Sequence, residues 1–153
     1  MFGYERSGYE RGGLCMRIEF TVPGRPQGKD RPRASLQGGR VHTYTTKRTK
    51  VYEDEVRKAY LEATKEKFFD DEISVAIIAF FSIPKTAKKA DREQMTKGAM
   101  YPRIKPDSDN IAKVVCDALN GVAYDDDKQI VDLSVYKRYT VNEAHVQVVI
   151  EDK

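Results

Sequence analysis

Residues 105–135 read KPDSDNIAKVVCDALNGVAYDDDKQIVDLSV, and the spacing of their apolar positions changes once along the way. From Ser108 to Leu119, Ile111, Val114, Val115, Ala118 and Leu119 recur three and four residues apart, as one buried face of a helix requires. Asn120-Gly121 then provides a left-handed stop. Beyond it Val131, Leu133 and Val135 alternate with other residues, which is the period of a strand. A helix that ends, turns and gives way to a strand is one α/β unit, and the flanking sequence extends it.

Upstream, Ile73 to Ile83 is β-branched or aromatic at nearly every position and ends at Pro84. It reads as a central strand covered on both faces. From Lys47 to Lys67, Tyr52, Val56, Ala59, Tyr60 and Ala63 mark one face of a long helix, with Thr45 or Thr46 as its cap. Earlier still, Ile18, Phe20 and Val22 alternate as in a half-buried strand. PGRPQGKDRPRASLQGGR, residues 23–40, holds three prolines and four glycines and reads as an irregular basic loop. Residues 85–106 are polar and basic, a short helix or a mobile lid, with Pro102 and Pro106 keeping their end extended. Val146, Val148 and Ile150 form a last strand after a turn at Thr140 to Glu143.

The expected fold is one α/β domain of α+β character over residues 16–153, a mixed β-sheet packed against two main helices. Residues 1–15, with the near-repeat YERSGYERGG, read as a disordered extension. At 153 residues and 40% hydrophobic content the chain can bury a core without staples. No run approaches the roughly 20 apolar residues of a membrane span, and the N-terminus lacks a signal-peptide core, so the expected location is cytoplasmic, with no membrane partner. Cys15 and Cys116 are too few for a disulfide framework and read as idle thiols.

The net charge of +3 says little, but its distribution is segregated. Residues 24–50 carry eight Lys or Arg against one Asp, and residues 85–105 carry seven against two acids. Residues 106–132 carry seven Asp against two Lys. Clustered carboxylates repel one another unless a cation joins them. Acid able to hold a metal, beside base able to hold phosphate, points to a nuclease.

Each acidic group also has a structural reading. At a helix start, capping explains one of Asp107 and Asp109 but not both. Asp125, Asp126 and Asp127 alone read as a solvated turn. Twelve helical residues span roughly 18 Å, and Gly121 to Tyr124 recover most of that at ~3.3 Å per residue, so the triplet can return to the first pair. An EF-hand beginning at Asp107 fails, because Ala112 and Ala118 stand where Gly and Glu are needed. An aspartyl-phosphate motif would end a buried strand, whereas MYPRIKP precedes these aspartates. Asp109 and Lys113 alone would be a surface ion pair worth ~0.5 kcal/mol. Asn110 and Asp117 border the same face, and Asp117 reads as solvated. His42 and His145 are isolated and carry no assigned role.

The acidic stretch resembles the signature of the RusA family of Holliday-junction resolvases, approximately KPDxDNxxKxxxDALNGxxxxDDxQI. PGRPQGKDRPR and YTTKRTKVYE are similar to the family's upstream segments, so the resemblance covers about residues 16–150. It implies a homodimer that cuts four-way junction DNA by paired symmetric nicks, using magnesium with manganese as a substitute and no small-molecule cofactor. By this resemblance Asp107, Asp109 and Asp127 are the catalytic, metal-binding aspartates, Lys113 is the catalytic lysine, and Asp126 is an adjoining metal-site acid. Asp125 is an acid where members vary. Arg25, Lys29, Arg31, Arg33, Arg40, Lys47, Arg48 and Lys50 are the expected phosphate contacts. Tyr44 and Tyr52 have rings that can stack on a base, though a tyrosine on a helix face is more often core. The alternatives are a nuclease for other branched or flap DNA, or a non-catalytic junction-binding protein, whose bare carboxylates would repel phosphates.

Overall fold

Alternation builds the first and last strands. The computed structural model describes residues 15–65 and 67–153, so the expected extension, but for Cys15, lies outside them. Along β1 (Arg17–Pro23), Ile18, Phe20 and Val22 are buried between exposed neighbours. Two further strands are named here by their place in the chain, β4 (Ile73–Ser82) and β6 (His145–Asp152). β6 pairs antiparallel with β1, setting Ile18 opposite Ile150, Phe20 opposite Val148 and Val22 opposite Val146. Both apolar rows therefore share one face. β4 lies on the other side of β6, and β5 (Ile130–Thr140) runs parallel to β4 at the edge, giving the order β1-β6-β4-β5.

β4 is internal, as expected, but covered on one face only. Ile73, Val75, Ile77, Ala79 and Phe81 are buried, whereas Ser74, Ala76, Ile78 and Phe80 are half-buried. The core gathers those buried residues with the apolar faces of two helices, α1 (Lys47–Thr64) and α3 (Ser108–Leu119). A second difference concerns the chain end. β5 and β6 are consecutive strands but not neighbours, because β4 is inserted between them. Val131 and Leu133 alternate in sequence yet remain 55% and 49% exposed. β5 is an edge, and its register with β4 shifts between Ile73 and Ser74, which leaves Val131 as an extra residue.

The Thr46 hydroxyl caps α1 by accepting from the Thr49 N–H at 3.3 Å. Ala63, expected on the buried face, is exposed, and Thr64 takes that place while donating to the Tyr60 carbonyl at 2.8 Å. α2 (Lys89–Thr96) occupies part of the polar stretch after β4, and a cis Lys105–Pro106 bond leads into α3. α3 has the expected bounds. Its stop differs in detail: Asn120 is extended (φ −57°, ψ 126°), Gly121 has φ +72°, and the Val122 N–H donates to the Leu119 carbonyl at 3.0 Å. That is a type II turn, for which glycine is the natural third residue.

The basic loop also departs from expectation. Residues 33–44 form a separate two-stranded ribbon, β2 (Arg33–Gln37) and β3 (Arg40–Tyr44), joined at Gly38-Gly39. Both glycines have positive φ (+57° and +74°), as the tight turns that match strand twist require. Among the described residues no helix is long and apolar enough to cross a membrane.

Candidate active site and nucleic-acid interface

α3 buries Ile111, Ala112, Val114, Val115, Cys116, Ala118 and Leu119, which leaves Asp109, Lys113 and Asp117 on its other side at four-residue steps. These three, with Asp127, Ile130 and Leu133, line a groove of about 360 Å³. Asp127 reaches it by a tightly bonded return. The Gly121 N–H donates to the Tyr124 carbonyl at 2.7 Å, and the Phe69 N–H donates to the Ala123 carbonyl at 2.8 Å. The buried Tyr124 hydroxyl donates to the Cys116 carbonyl at 2.8 Å. The return brings Asp127 into the groove beside Asp109, while Asp125, Asp126 and Asp107 do not line it, so the expected approach of the triplet to the first pair is met by Asp109 and Asp127 alone.

Gln129 fixes the acidic triplet. Its Oε1 accepts from the Asp125 and Asp126 N–H groups at 2.9 and 3.2 Å, and its Nε2 donates to the Phe69 and Asp71 carbonyls at 3.0 and 3.1 Å. Asp126 caps the single 3₁₀ turn Asp127–Gln129 by accepting from the Lys128 N–H at 2.9 Å. That backbone bond holds the Asp126 carboxyl below the usual range. Asp127 moves the other way: partial burial raises it first, then its hydrogen bond with Asp126, then the charges of Asp126 and Asp117. Two adjacent acids thus face opposite demands, one satisfied by backbone and one crowded by carboxylates.

Asp107 lies elsewhere. It is the N-cap residue of α3, and its carbonyl accepts from the Ile111 N–H at 3.1 Å, but its side chain makes no cap bond. It lines a neighbouring basin of about 440 Å³ with Arg25, Lys29, Arg31, Arg48 and Lys105. The Asp107 backbone is extended (φ −70°, ψ 151°) rather than helical, and the residue lines the basin while Asp109 lines the groove. Among the described residues no three His, Cys, Asp or Glu side chains are grouped so as to hold one ion. Asp109 and Asp127 share a groove, while the third expected ligand stands at the adjoining basin.

The basin is stitched to both helices. The Lys29 N–H donates to the Asn110 carbonyl at 3.0 Å, the Asp30 N–H donates to Thr49 Oγ1 at 3.2 Å, and Thr46 Oγ1 donates to Asp30 Oδ2 at 2.7 Å. Gly28 allows the approach, since a Cβ there would stand 2.8 Å from Pro106 Cβ and 3.1 Å from Asn110 Cβ. Lys29, an expected phosphate contact, is held inward between Glu53 Oε1 at 2.5 Å and Asp117 Oδ2 at 3.0 Å. Burial alone would lower its ammonium pKa, but hydrogen bonds to the two carboxylates outweigh it and leave the pKa raised. Arg48 is exposed and bonded to the Gln27 side chain. Arg25, Arg31, Arg33, Arg40, Lys47 and Lys50 are exposed, and they run along the chain from the basin through the ribbon to the start of α1. Tyr52 is core, and Tyr44 is exposed on β3.

Sequence reasoning placed Asp117 on this face but read it as solvated, where it is paired with Lys29, and it missed Glu53 and Lys105. The place of Asp117 was readable, since the steps from Asp109 to Lys113 to Asp117 put it on the same face. Lys105 carried no signal beyond its place beside Pro106.

A family model described as endodeoxyribonuclease RusA matches residues 23–151. The uncharacterized protein YqaN of Bacillus subtilis (strain 168) is 36% identical over 137 residues, which cover 88% of this chain and 96% of that protein.

Proposed function

This chain belongs to the RusA family of endodeoxyribonucleases, and from that premise we propose that it resolves Holliday junctions by paired nicks dependent on a divalent metal. The observation that carries the reading is the acidic groove on α3 directly beside a basic basin. A phosphodiester held by the basin would present its scissile bond to the groove, where its negative charge would be tolerated only beside a cation.

The donors fit magnesium. It is a hard ion that takes carboxylate and water oxygens and is satisfied by one or two carboxylates with several retained waters. Asp127, pushed up by burial and by the carboxylates of Asp126 and Asp117, is a group that a cation would relieve. Asp109 and Asp127 would hold the ion together with retained waters, while Asp107, a ligand expected from the family resemblance, stands outside that pair at the basin, and Asp126 is the adjoining acid. When bound, such a cation supplies a Lewis acid and a water of lowered pKa. Lys113, one turn after Asp109, would place an ammonium beside the phosphate oxygens as charge grows on them. Arg25, Arg31, Arg33, Arg40, Lys47, Arg48 and Lys50 would position the DNA arms, and Lys29 would keep Asp117 and Glu53 in place.

A four-way junction is nearly two-fold symmetric and needs two cuts, so a C2 homodimer with one site per subunit is the economical assembly. Two exposed apolar residues on the edge strand β5, Val131 and the groove-lining Leu133, support it.

The test is incubation of synthetic four-way, flap and duplex DNA with magnesium. Paired nicks in the four-way substrate alone are expected. Asp109→Asn and Asp127→Asn should lower single-turnover cutting by at least about a hundredfold, the scale of losing several kcal/mol of transition-state stabilisation. Binding should persist in both. Variants that cut as well as wild type would remove these residues from the site, and preferential cutting of flaps would replace the junction reading. Lys113→Ala should slow cutting without weakening binding, and an unchanged single-turnover rate would remove it from the mechanism.

A further inference from the structure

The β2–β3 ribbon has two unlike faces. Register places Ala34 opposite Thr43 and Leu36 opposite Val41 on one, and Arg33 opposite Tyr44, Ser35 opposite His42 and Gln37 opposite Arg40 on the other. Leu36 and Val41 are 77% and 68% exposed, and they form a directly opposed pair one step from the Gly38-Gly39 turn. Single exposed apolar residues need no explanation. A cross-strand apolar pair near the tip of a ribbon that belongs to no larger sheet does.

Charge identifies the occupant. From Arg31 to Tyr52 the chain has no Asp or Glu, while Arg31, Arg33, Arg40, Lys47, Arg48 and Lys50 are all cationic. Such a segment fits a polyanion, and a two-stranded ribbon has the width to enter a DNA groove. An intact duplex shows little apolar surface there beyond thymine methyls. Unstacked base faces are apolar, and leucine-type wedges are known to insert at opened base steps.

Building on the junction reading above, we infer that the ribbon enters the strand-exchange point of the junction, with Leu36 and Val41 packed on unstacked bases and Arg33 and Arg40 against the bordering phosphates. The ribbon then makes the enzyme select a branch over a duplex.

The experiment uses a four-way junction carrying 2-aminopurine at the crossover, titrated with full-length protein in EDTA. Wild type should raise the fluorescence at the crossover but not at a label placed in an arm. Leu36→Ser/Val41→Ser should abolish most of that rise and weaken junction binding about tenfold, equivalent to about 1.4 kcal/mol, with duplex affinity unchanged. Leu36→Met/Val41→Ile, which keep the apolar surface, should restore both. If the serine variant retains the fluorescence rise and the junction preference, this inference is overturned and the junction reading stands. If instead that variant loses self-association in sedimentation, the pair is a subunit contact and the inference falls. Wild-type protein that binds the junction no tighter than duplex overturns both.

Discussion

Glu53 is an anion in a buried position, its side chain 11% exposed, and it is held by Lys29, itself 23% exposed. Neither charge would be stable there alone, since each has given up most of its hydration. Glu53→Ala should therefore cost about 2 kcal/mol, as for a charged hydrogen bond lost from a partly dry site. The melting temperature should drop by roughly 4–8 °C. The same substitution leaves Asp117 as the remaining carboxylate partner of Lys29, so a repositioned Asp117 should also slow cutting. Cys116 is a second residue-scale case: burial, followed by the charges of Asp127 and Asp117, pushes its thiol up to about 12. Native protein at pH 8 should expose one titratable thiol per chain, Cys15, with the second appearing only in denaturant. Helical spacing made the shared face of Asp109, Lys113 and Asp117 legible, whereas the choice of Asp127 from the acidic triplet rested on the family resemblance. The site was illegible where partners are distant in sequence. Nothing near Asp117 announces Lys29, and nothing near Lys29 announces Glu53.

At the scale of elements, α3 could be read to its last residue because its seven buried positions have one period and its ends carry distinct signals. The ribbon could not be read as easily. Ala34, Leu36, Val41 and Thr43 make only two apolar or half-apolar steps per strand, and Pro32 and the glycines outweighed them. The Gly38-Gly39 pair between short alternating runs was the usable signal. Strand order was beyond reach for a different reason: alternation in β5 and β6 marks two strands but carries no label for the β4 that separates them. The segment Arg25–Arg31 depends on Gly28 for its approach to α3. Gly28→Val should force Pro106 or Asn110 aside at a cost of about 1–3 kcal/mol. Junction affinity should fall more than for Ser35→Val on the exposed ribbon, as measured by binding at fixed salt.

The whole molecule responds to pH through groups it keeps protonated. Tyr52, Tyr60, Cys116 and Tyr124 are all raised, burial being the first cause in each. Below about pH 7.5, folded and unfolded chains both keep these protons and stability is unaffected by them. Above it the unfolded chain ionises first and binds fewer protons, so stability must decline as pH rises. Urea midpoints should accordingly fall between pH 8 and 10.5, and Tyr60→Phe should soften the decline. DNA binding should answer to salt instead. With about six phosphate contacts from each of two subunits the log–log slope should be about −11, and Arg33→Ala/Arg40→Ala should reduce its magnitude by about 4.

β1 and β6 pair across almost the full length of the chain, Arg17 with Glu151 and Pro23 with His145. During synthesis the first strand is made long before the strand it pairs with, and β4 too must wait for β6 to separate it from β1. Such distant closure makes folding slow and late. Asp107, Asp109, Asp126, Asp127 and Lys113 have all been polymerised before β6 exists, so a nascent chain holds the residues of the proposed site without the sheet that supports them. Nuclease activity should consequently appear only after residues 145–152 clear the ribosome.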